Sequence, residues 1–229
     1  MPWIIVAEMR EVDRAAVAIR LSLTRMMENA GAALAWMACS MLGGTVAGRR
    51  TTVLAGRGGN GGGGLVAARR LIGWGAEVEV RLASPPDELA PVPLEQLLLL
   101  ERMNGSVAVG ADGLSQPELF IDAILGYSQQ GDPRGHAAQL IAATHGARVL
   151  SLDVPSGLEL ERGIIGTPTV KAEATLTLAL PKAALRLEAA QPQVGELYLA
   201  DISVPAVVCE ALQVPYHSPF SRGPIVRLV

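Results

Sequence analysis

Seven glycines fall between Gly56 and Gly64, inside the stretch TTVLAGRGGNGGGGLVAARRL that runs from Thr51 to Leu71. The β-branched run Thr51 to Leu54 ahead of them reads as a strand. The spacing of Leu65, Val66, Ala68 and Leu71 behind them reads as a helix. Strand, glycine loop, helix is the arrangement that turns free backbone N–H groups toward an anion at a helix N-terminus. Glycine suits it because a side chain would block a phosphate, and because such loops visit φ > 0. A phosphate-bearing small molecule is the expected ligand, although glycine-rich turns without a ligand also exist. Gly56, Gly58 and Gly61 match GxGxxG literally. The dinucleotide pattern also asks for an acid near the end of the next strand, to hold a ribose hydroxyl. That strand, Val78 to Ala83, ends in Ala83-Ser84-Pro85, and Glu77 and Glu79 lie at its start. The phosphate is therefore expected in a different arrangement from the standard dinucleotide one.

A second group of residues could do chemistry. Asp122 and Asp153 lie within or at the ends of apolar runs, where a carboxylate is costly unless paired or bound to a cation. Each aspartate alone reads as a helix cap or loop anchor. Together with Ser156 and Lys182 at neighbouring strand ends they point to a site.

The elements that must position these groups alternate along the chain. Strands are expected at Thr51–Ala55, Val78–Ala83, Val107–Val109, Leu119–Ile124, Val149–Val154, Ala174–Leu180 and Glu196–Ala200. Helices are expected at Leu65–Trp74, Leu94–Met103 and His136–His145. Residues Val12 to Met41 read as two further helices, the second capped by Ser22 or Thr24. Several strands are continuous apolar runs, as when both faces of a sheet are covered. Such alternation predicts an α/β fold with a mostly parallel sheet. Ligands in such sheets lie beyond the carboxyl ends of the strands. Four loops should therefore converge: the glycine loop, Gly126 to Gly135, Pro155 to Gly157, and Pro181-Lys182.

Composition narrows the function classes. The chain has 229 residues, of which 50% are apolar, 18% charged and 3% aromatic, with a formal net charge of −3. An aliphatic core is implied. No basic run offers a surface for nucleic acid, and few aromatics are present for base stacking. Cys39 and Cys209 lie far apart, without CxxC spacing or a metal pattern, and read as buried thiols in a reducing, cytoplasmic setting. No signal peptide is visible. Ala30 to Gly48 lacks charge, but its Ala and Gly content and the Gly43-Gly44 pair fit a buried helix rather than a membrane span. The Pro-rich piece Ser84 to Pro93 reads as a surface connection. One domain is expected over residues 1–229, with a core from about 8 to 205 and an irregular tail at 206–229.

Six motifs in order resemble one family, the NAD(P)H-hydrate epimerases of the YjeF N-terminal type. They are MMENAG (Met26 to Gly31), GRGGNGGGGLVAARRL, FIDAILGYSQQGDPRG, LDVPSG (Leu152 to Gly157), ATLTLALPKAAL and GELYLADISVP. The resemblance covers nearly the whole chain, from about Glu8 to Pro205. It implies a three-layer α/β/α, Rossmann-like sandwich, commonly a homodimer. The implied activity interconverts the R and S hydrates of NADH or NADPH (NADHX, NADPHX), so that a separate dehydratase can restore the cofactor. It implies a potassium ion held by Asn60, Asp122 and Ser156. It places substrate contacts at Gly59, Asn60, Gly61, Gly62 and Gly63, at Gly126, Tyr127, Ser128, Gln129, Gln130, Gly131 and Asp132, and at Asp153. Asp153 is the candidate for acid–base work, with Lys182 offsetting charge beside it. The chain departs from the family loop at Gly59 and Gly63, where the family carries Asn and Asp. The competing class is a catalytically impaired nucleotide-binding or scaffolding protein of the same fold. A conventional NAD-dependent dehydrogenase is disfavoured by the missing ribose-binding acid.

Overall fold

The computed structural model describes all residues except Met1, Leu212, Val214, Pro215 and Val229. The chain opens with α1 (Val6–Ala18) and α2 (Leu23–Met41) and then enters the sheet through β1 (Arg50–Ala55). There follow α3 (Gly59–Gly73), β2 (Glu77–Leu82), α4 (Pro91–Arg102), β3 (Ser106–Val109), β4 (Leu119–Ala123), α5 (Gly135–Ala143) and β5 (Val149–Leu152). A short hairpin, β6 (Leu158–Glu159) and β7 (Ile164–Ile165), precedes β8 (Ala174–Leu178). Then come α6 (Gln191–Val194), β9 (Glu196–Ala200), α7 (Ala206–Ala211) and β10 (Ile225–Arg227).

The main sheet has eight strands in the order β10-β9-β8-β5-β4-β1-β2-β3. Every neighbouring pair is parallel except β9 with β10. The expected parallel sheet is therefore present, and the strands before Gly56, Gly126, Pro155 and Pro181 are neighbours, as the apolar runs and polar loops predicted. The order reverses direction between β1 and β4, which opens a crevice at that point.

Three layers form because each sheet face is apolar. Helices α2, α3 and α4 pack on one face around Leu34, Leu65, Leu71 and Leu97, while α5 covers the other with Leu140 and Ile141 against Phe120 and Leu54. A separate cluster joins α1, α2 and α7 through Met9, Val12, Met26 and Val208.

Several boundaries differ from expectation. Helix α3 begins at Gly59, within the glycine run, not at Leu65. Glycine is a poor helix former, so packing against the sheet and α2 overrides propensity there. Ser22 is the cap of α2, its Oγ accepting from Arg25 N at 3.3 Å, and Gly43 and Gly44 take positive φ just past the helix end. Helix α4 begins at Pro91 rather than Leu94, with proline in the first turn, where its missing N–H costs nothing. Strands β4, β5 and β8 each stop before the end of their apolar runs. The expected irregular tail at 206–229 contains two elements among its described residues: α7 packs on α1, and β10 adds an antiparallel edge strand to β9. Both elements are short and the stretch between them, 215–224, is broken by three prolines, so periodicity did not reveal either one.

A cleft with an ion pair at its floor

The chain turns out of β1 at Gly56 and enters α3 at Gly59, with Gly58 as the cap residue and no side chain capping the helix. The first-turn N–H groups therefore face outward at an open N-terminus, where the helix dipole favours negative charge. The glycines are needed for closeness. A Cβ at Gly56 would lie 1.9 Å from the Ile124 carbonyl oxygen, and one at Gly61 would lie 1.8 Å from the Gly56 carbonyl oxygen. Gly62 is closed off by Met27, Gly63 by Leu152 and Gly64 by Ala123. Only Gly58 and Gly59 in this run have open space. The expectation that the loop visits φ > 0 is not met; no glycine from Gly56 to Gly64 does so.

Beyond the carboxyl ends of β1, β4, β5 and β8 lies a cleft of about 1070 Å³. Gly59, Asn60, Asp153 and Lys182 line it, as do all seven residues from Gly126 to Asp132. Gly61, Gly62 and Gly63, expected to touch substrate, do not line it; helix packing holds their Cα atoms. Asp122 and Ser156 lie beneath it and do not line it either.

Asp122, at the end of β4, is fully buried. Its Oδ1 accepts from Ser156 Oγ at 2.6 Å and Ile124 N at 3.3 Å; its Oδ2 accepts from Ser151 Oγ and Ser156 N, both at 2.8 Å. Ser156 Oγ accepts in turn from Leu125 N at 2.9 Å, and Asn60 Nδ2 donates to Leu125 O at 3.0 Å. Asn60 and Ser156 thus meet at Leu125, and Asp122 joins them through Ser156. Burial pushes the Asp122 carboxyl up from 3.8, opposed by the bonds from Ser156, Ser151 and Ile124. Among the described residues no cationic side chain pairs with it.

Asp153 does have a partner. It follows β5 in the left-handed region, at φ 67°, which Asp tolerates better than most residues. That twist turns its carboxylate into the cleft. Lys182 Nζ donates to Asp153 Oδ1 at 2.6 Å, to Leu178 O at 2.8 Å and to Thr177 Oγ1 at 3.3 Å, so its three protons are all used. Lys182 is 1% exposed, which is exceptional for lysine and explicable only by this pairing. Asp153 Oδ2 accepts from Tyr127 N at 3.3 Å. A Cβ on Gly126 would sit 3.6 Å from this oxygen, so glycine there keeps Oδ2 uncovered.

The polar side chains of the Gly126–Asp132 loop largely tether the loop itself. Gln129 Oε1 accepts from Gly157 N at 2.8 Å, Gln130 Nε2 donates to Glu161 at 3.3 Å and Asp132 Oδ1 accepts from Thr167 N at 2.9 Å. The buried Glu159 accepts from Gly131 N at 2.8 Å.

Sequence reasoning missed three charged residues that line the cleft: Asp13, Arg57 and Arg134. Asp13 had a signal, an acid one position past buried Val12 on an otherwise apolar helix face. The arginines had none, because exposed arginines are common.

An open parallel sheet, a glycine-bearing helix N-terminus at its switch point and a buried Asp–Lys pair beside it define a Rossmann-like small-molecule site. Residues 23–184 match the model of the YjeF-related protein N-terminus, and the chain belongs to that family. It is 41% identical over 232 residues to the NAD(P)H-hydrate epimerase of Dehalogenimonas lykanthroporepellens, an alignment covering 98% of this chain and 92% of that protein. It is 34% identical to the bifunctional NAD(P)H-hydrate repair enzyme Nnr of Moorella thermoacetica, over 87% of this chain but 40% of that protein. The chain thus spans less than half the length of that bifunctional relative. Its fold is similar to the crystal structure of yeast ynu0, with a TM-score of 0.82 and 22% identity over the whole of both chains.

Proposed function

We propose that this chain is an NAD(P)H-hydrate epimerase, interconverting the R and S forms of NADHX or NADPHX. The observation that carries this reading is the buried Asp153–Lys182 pair facing the cleft beside the N-terminus of α3. Relatives named as epimerases, one matched over nearly the full length of both chains, support it.

Inverting the hydrated carbon requires a bond at that carbon to break and re-form while a proton is moved off and back. Asp153 Oδ2, which accepts the long bond from Tyr127 N and keeps a lone pair toward the cleft, is the oxygen to take and return that proton, since Oδ1 is committed to Lys182. Lys182 balances the carboxylate charge and, with no spare donor, holds it in place. The phosphates of the substrate lie against the first turn of α3, at Gly59 and Asn60, where backbone N–H groups and the helix dipole attract them. The Gly126–Asp132 loop walls the cleft beside Asn60 and Asp153.

The potassium ion implied by the family fits the donor set. Asn60, with its amide oxygen free of any donor among the described residues, Ser156, the Leu125 carbonyl and the buried Asp122 are all oxygen ligands, which suit a hard cation. A single uncompensated carboxylate suits a single positive charge. Bound there, the ion would supply fixed positive charge beneath the cleft, while Asn60 and Ser156 keep the β4 and β5 loops in register.

A homodimer, a cytoplasmic setting and a dehydratase acting on the product are part of the same reading. Cys39 and Cys209 are both free and buried, which accords with a reducing compartment. No helix among the described residues is long and apolar enough to cross a membrane.

One observation favours a second reading, a protein that binds the nucleotide without turnover. Gly63 stands where the family carries Asp, and a Cβ there meets Leu152 Cδ2 at 2.8 Å. The experiment is to follow interconversion of purified R and S hydrates by chromatography. Interconversion by the wild-type protein above the spontaneous rate supports the enzyme. Nucleotide binding without interconversion, unchanged in Gly59→Asn and in the double variant Gly59→Asn with Gly63→Asp, supports the second reading.

A further inference from the structure

Helix α1 precedes the matched family segment 23–184, yet it supplies part of the cleft wall through Met9 and Asp13. Its start is pinned beside the lysine. Ile4 N donates to Pro181 O at 2.9 Å and Ala183 N donates to Ile4 O at 2.8 Å, so the chain brackets Lys182 on both sides. About two turns into α1, Asp13 Oδ2 accepts the Tyr127 hydroxyl at 2.5 Å. Tyr127 then touches the catalytic pair twice more. Its backbone N–H donates to Asp153 Oδ2 at 3.3 Å, and its ring centroid lies 5.8 Å from Lys182 Nζ. A single residue therefore joins α1 and the Lys182 ammonium through its side chain, and the Asp153 carboxylate through its backbone N–H.

We infer that Asp13 is a positioning residue for the epimerase: by holding the Tyr127 hydroxyl it fixes the head of the Gly126–Asp132 loop against Asp153 and Lys182. The rest of that loop is tied to the opposite side, through Gln129 to Gly157, Gly131 to Glu159 and Asp132 to Thr167. Among the described residues the phenol is the loop's only side-chain tie to α1. Without it, the long Tyr127 N–H bond to Asp153 is left to set where Oδ2 points. Burial pushes the Tyr127 phenol up, with the Asp13 bond adding to the effect, so the hydroxyl keeps its proton and remains the donor. The kinetic part of this inference rests on the epimerase reading; the structural part does not.

Three variants test it: Asp13→Ala, Asp13→Asn and Tyr127→Phe. Alanine is a better helix former than aspartate, so Asp13→Ala is expected to fold, checked by its melting temperature. In the hydrate assay, Asp13→Ala and Tyr127→Phe are expected to lower kcat about tenfold with KM within about twofold, the pattern of an interaction that matters in the transition state. The double variant is expected to be no worse than either single one, because both remove the same bond. Asp13→Asn keeps an acceptor oxygen and should recover most of the rate. Hydrogen exchange gives a readout that needs no activity: the Tyr127 amide should exchange about tenfold faster in Asp13→Ala. Unchanged kcat with unchanged Tyr127 exchange overturns the inference. An Asp13→Asn protein as slow as Asp13→Ala also overturns it, since the charge would then be what matters. Should the wild-type protein show no epimerisation, the epimerase reading fails, and the Tyr127 exchange alone decides the positioning role.

Discussion

At the scale of single residues, two buried aspartates near one another have been given opposite treatments. Asp153 has a cation on one oxygen and a single long hydrogen bond on the other; Asp122 has four hydrogen bonds and, among the described residues, no cation. The first arrangement suits proton transfer and the second suits holding an ion or two loops. Replacing Asp153 by alanine would place a non-glycine, non-polar residue at φ 67° and leave Lys182 buried without its carboxylate. Stranding a buried charge costs about 3–5 kcal/mol, so loss of activity in that variant would be confounded with unfolding. Asp153→Asn tolerates the backbone and keeps an acceptor for Lys182. It is expected to retain a cooperative melt while epimerisation falls by roughly 10²–10⁴-fold, the usual contribution of a general acid–base group. Wild-type turnover in Asp153→Asn would remove the carboxylate from the chemistry. For Asp122, the asparagine variant must turn an NH₂ toward either Ile124 N or Ser156 N, whichever way the amide lies. We expect it to lose about 1–3 kcal/mol, the cost of a buried group left unsatisfied. It should also lose any difference in melting temperature between potassium and a bulky organic cation. A wild-type melt identical in the two salts would reject the ion site.

At the scale of elements, the glycine helix decides the geometry of the site. Helices α2 and α3 cross so closely that a Cβ on Gly31 would lie 2.4 Å from Val66 Cβ and 2.7 Å from the Gly63 carbonyl oxygen. This close crossing presses α3 onto the sheet and lets it begin six residues before its apolar spacing starts. Glycines in the run should therefore divide sharply. Gly56→Ala and Gly61→Ala collide with backbone carbonyls that cannot move without displacing the loops after β1 and β4. Both are expected to lose nucleotide binding and to be destabilised well beyond the roughly 0.5–1 kcal/mol that separates glycine from alanine in a helix. Gly59→Ala meets nothing within 4 Å and is expected to melt at or slightly above the wild-type temperature. Chemical denaturation of the three variants, with titration of a nicotinamide nucleotide, tests the division. Equal losses at Gly56 and Gly59 would mean that flexibility, not closeness, is what the run provides.

At the scale of the whole molecule, the layer formed by α2, α3 and α4 leaves Trp36, Leu98 and Leu99 exposed, with Met103 at the end of α4. Trp36 also packs against Trp74, the rings tilted with centroids 4.9 Å apart. Apolar surface of this kind is commonly covered in oligomers. Sedimentation equilibrium is expected to give twice the 23.9 kDa mass of the chain, and a single-chain mass would reject the homodimer. The same layering shows how far the sequence reaches. The family resemblance added Asn60 to the site; alternating apolar runs and polar loops were sufficient to predict a parallel sheet, the convergence of the loops after β1, β4, β5 and β8, and a cleft holding Asp153 and Lys182. Those features follow from periodicity and from polar groups at strand ends, which are local and survive reading one residue at a time. The early start of α3, the burial of Gly61 to Gly63 away from the cleft, the edge strand β10 and the tie between Asp13 and Tyr127 were decided only by tertiary structure. Each depends on how closely two distant segments approach, and a pair 114 positions apart leaves no periodic trace in the chain.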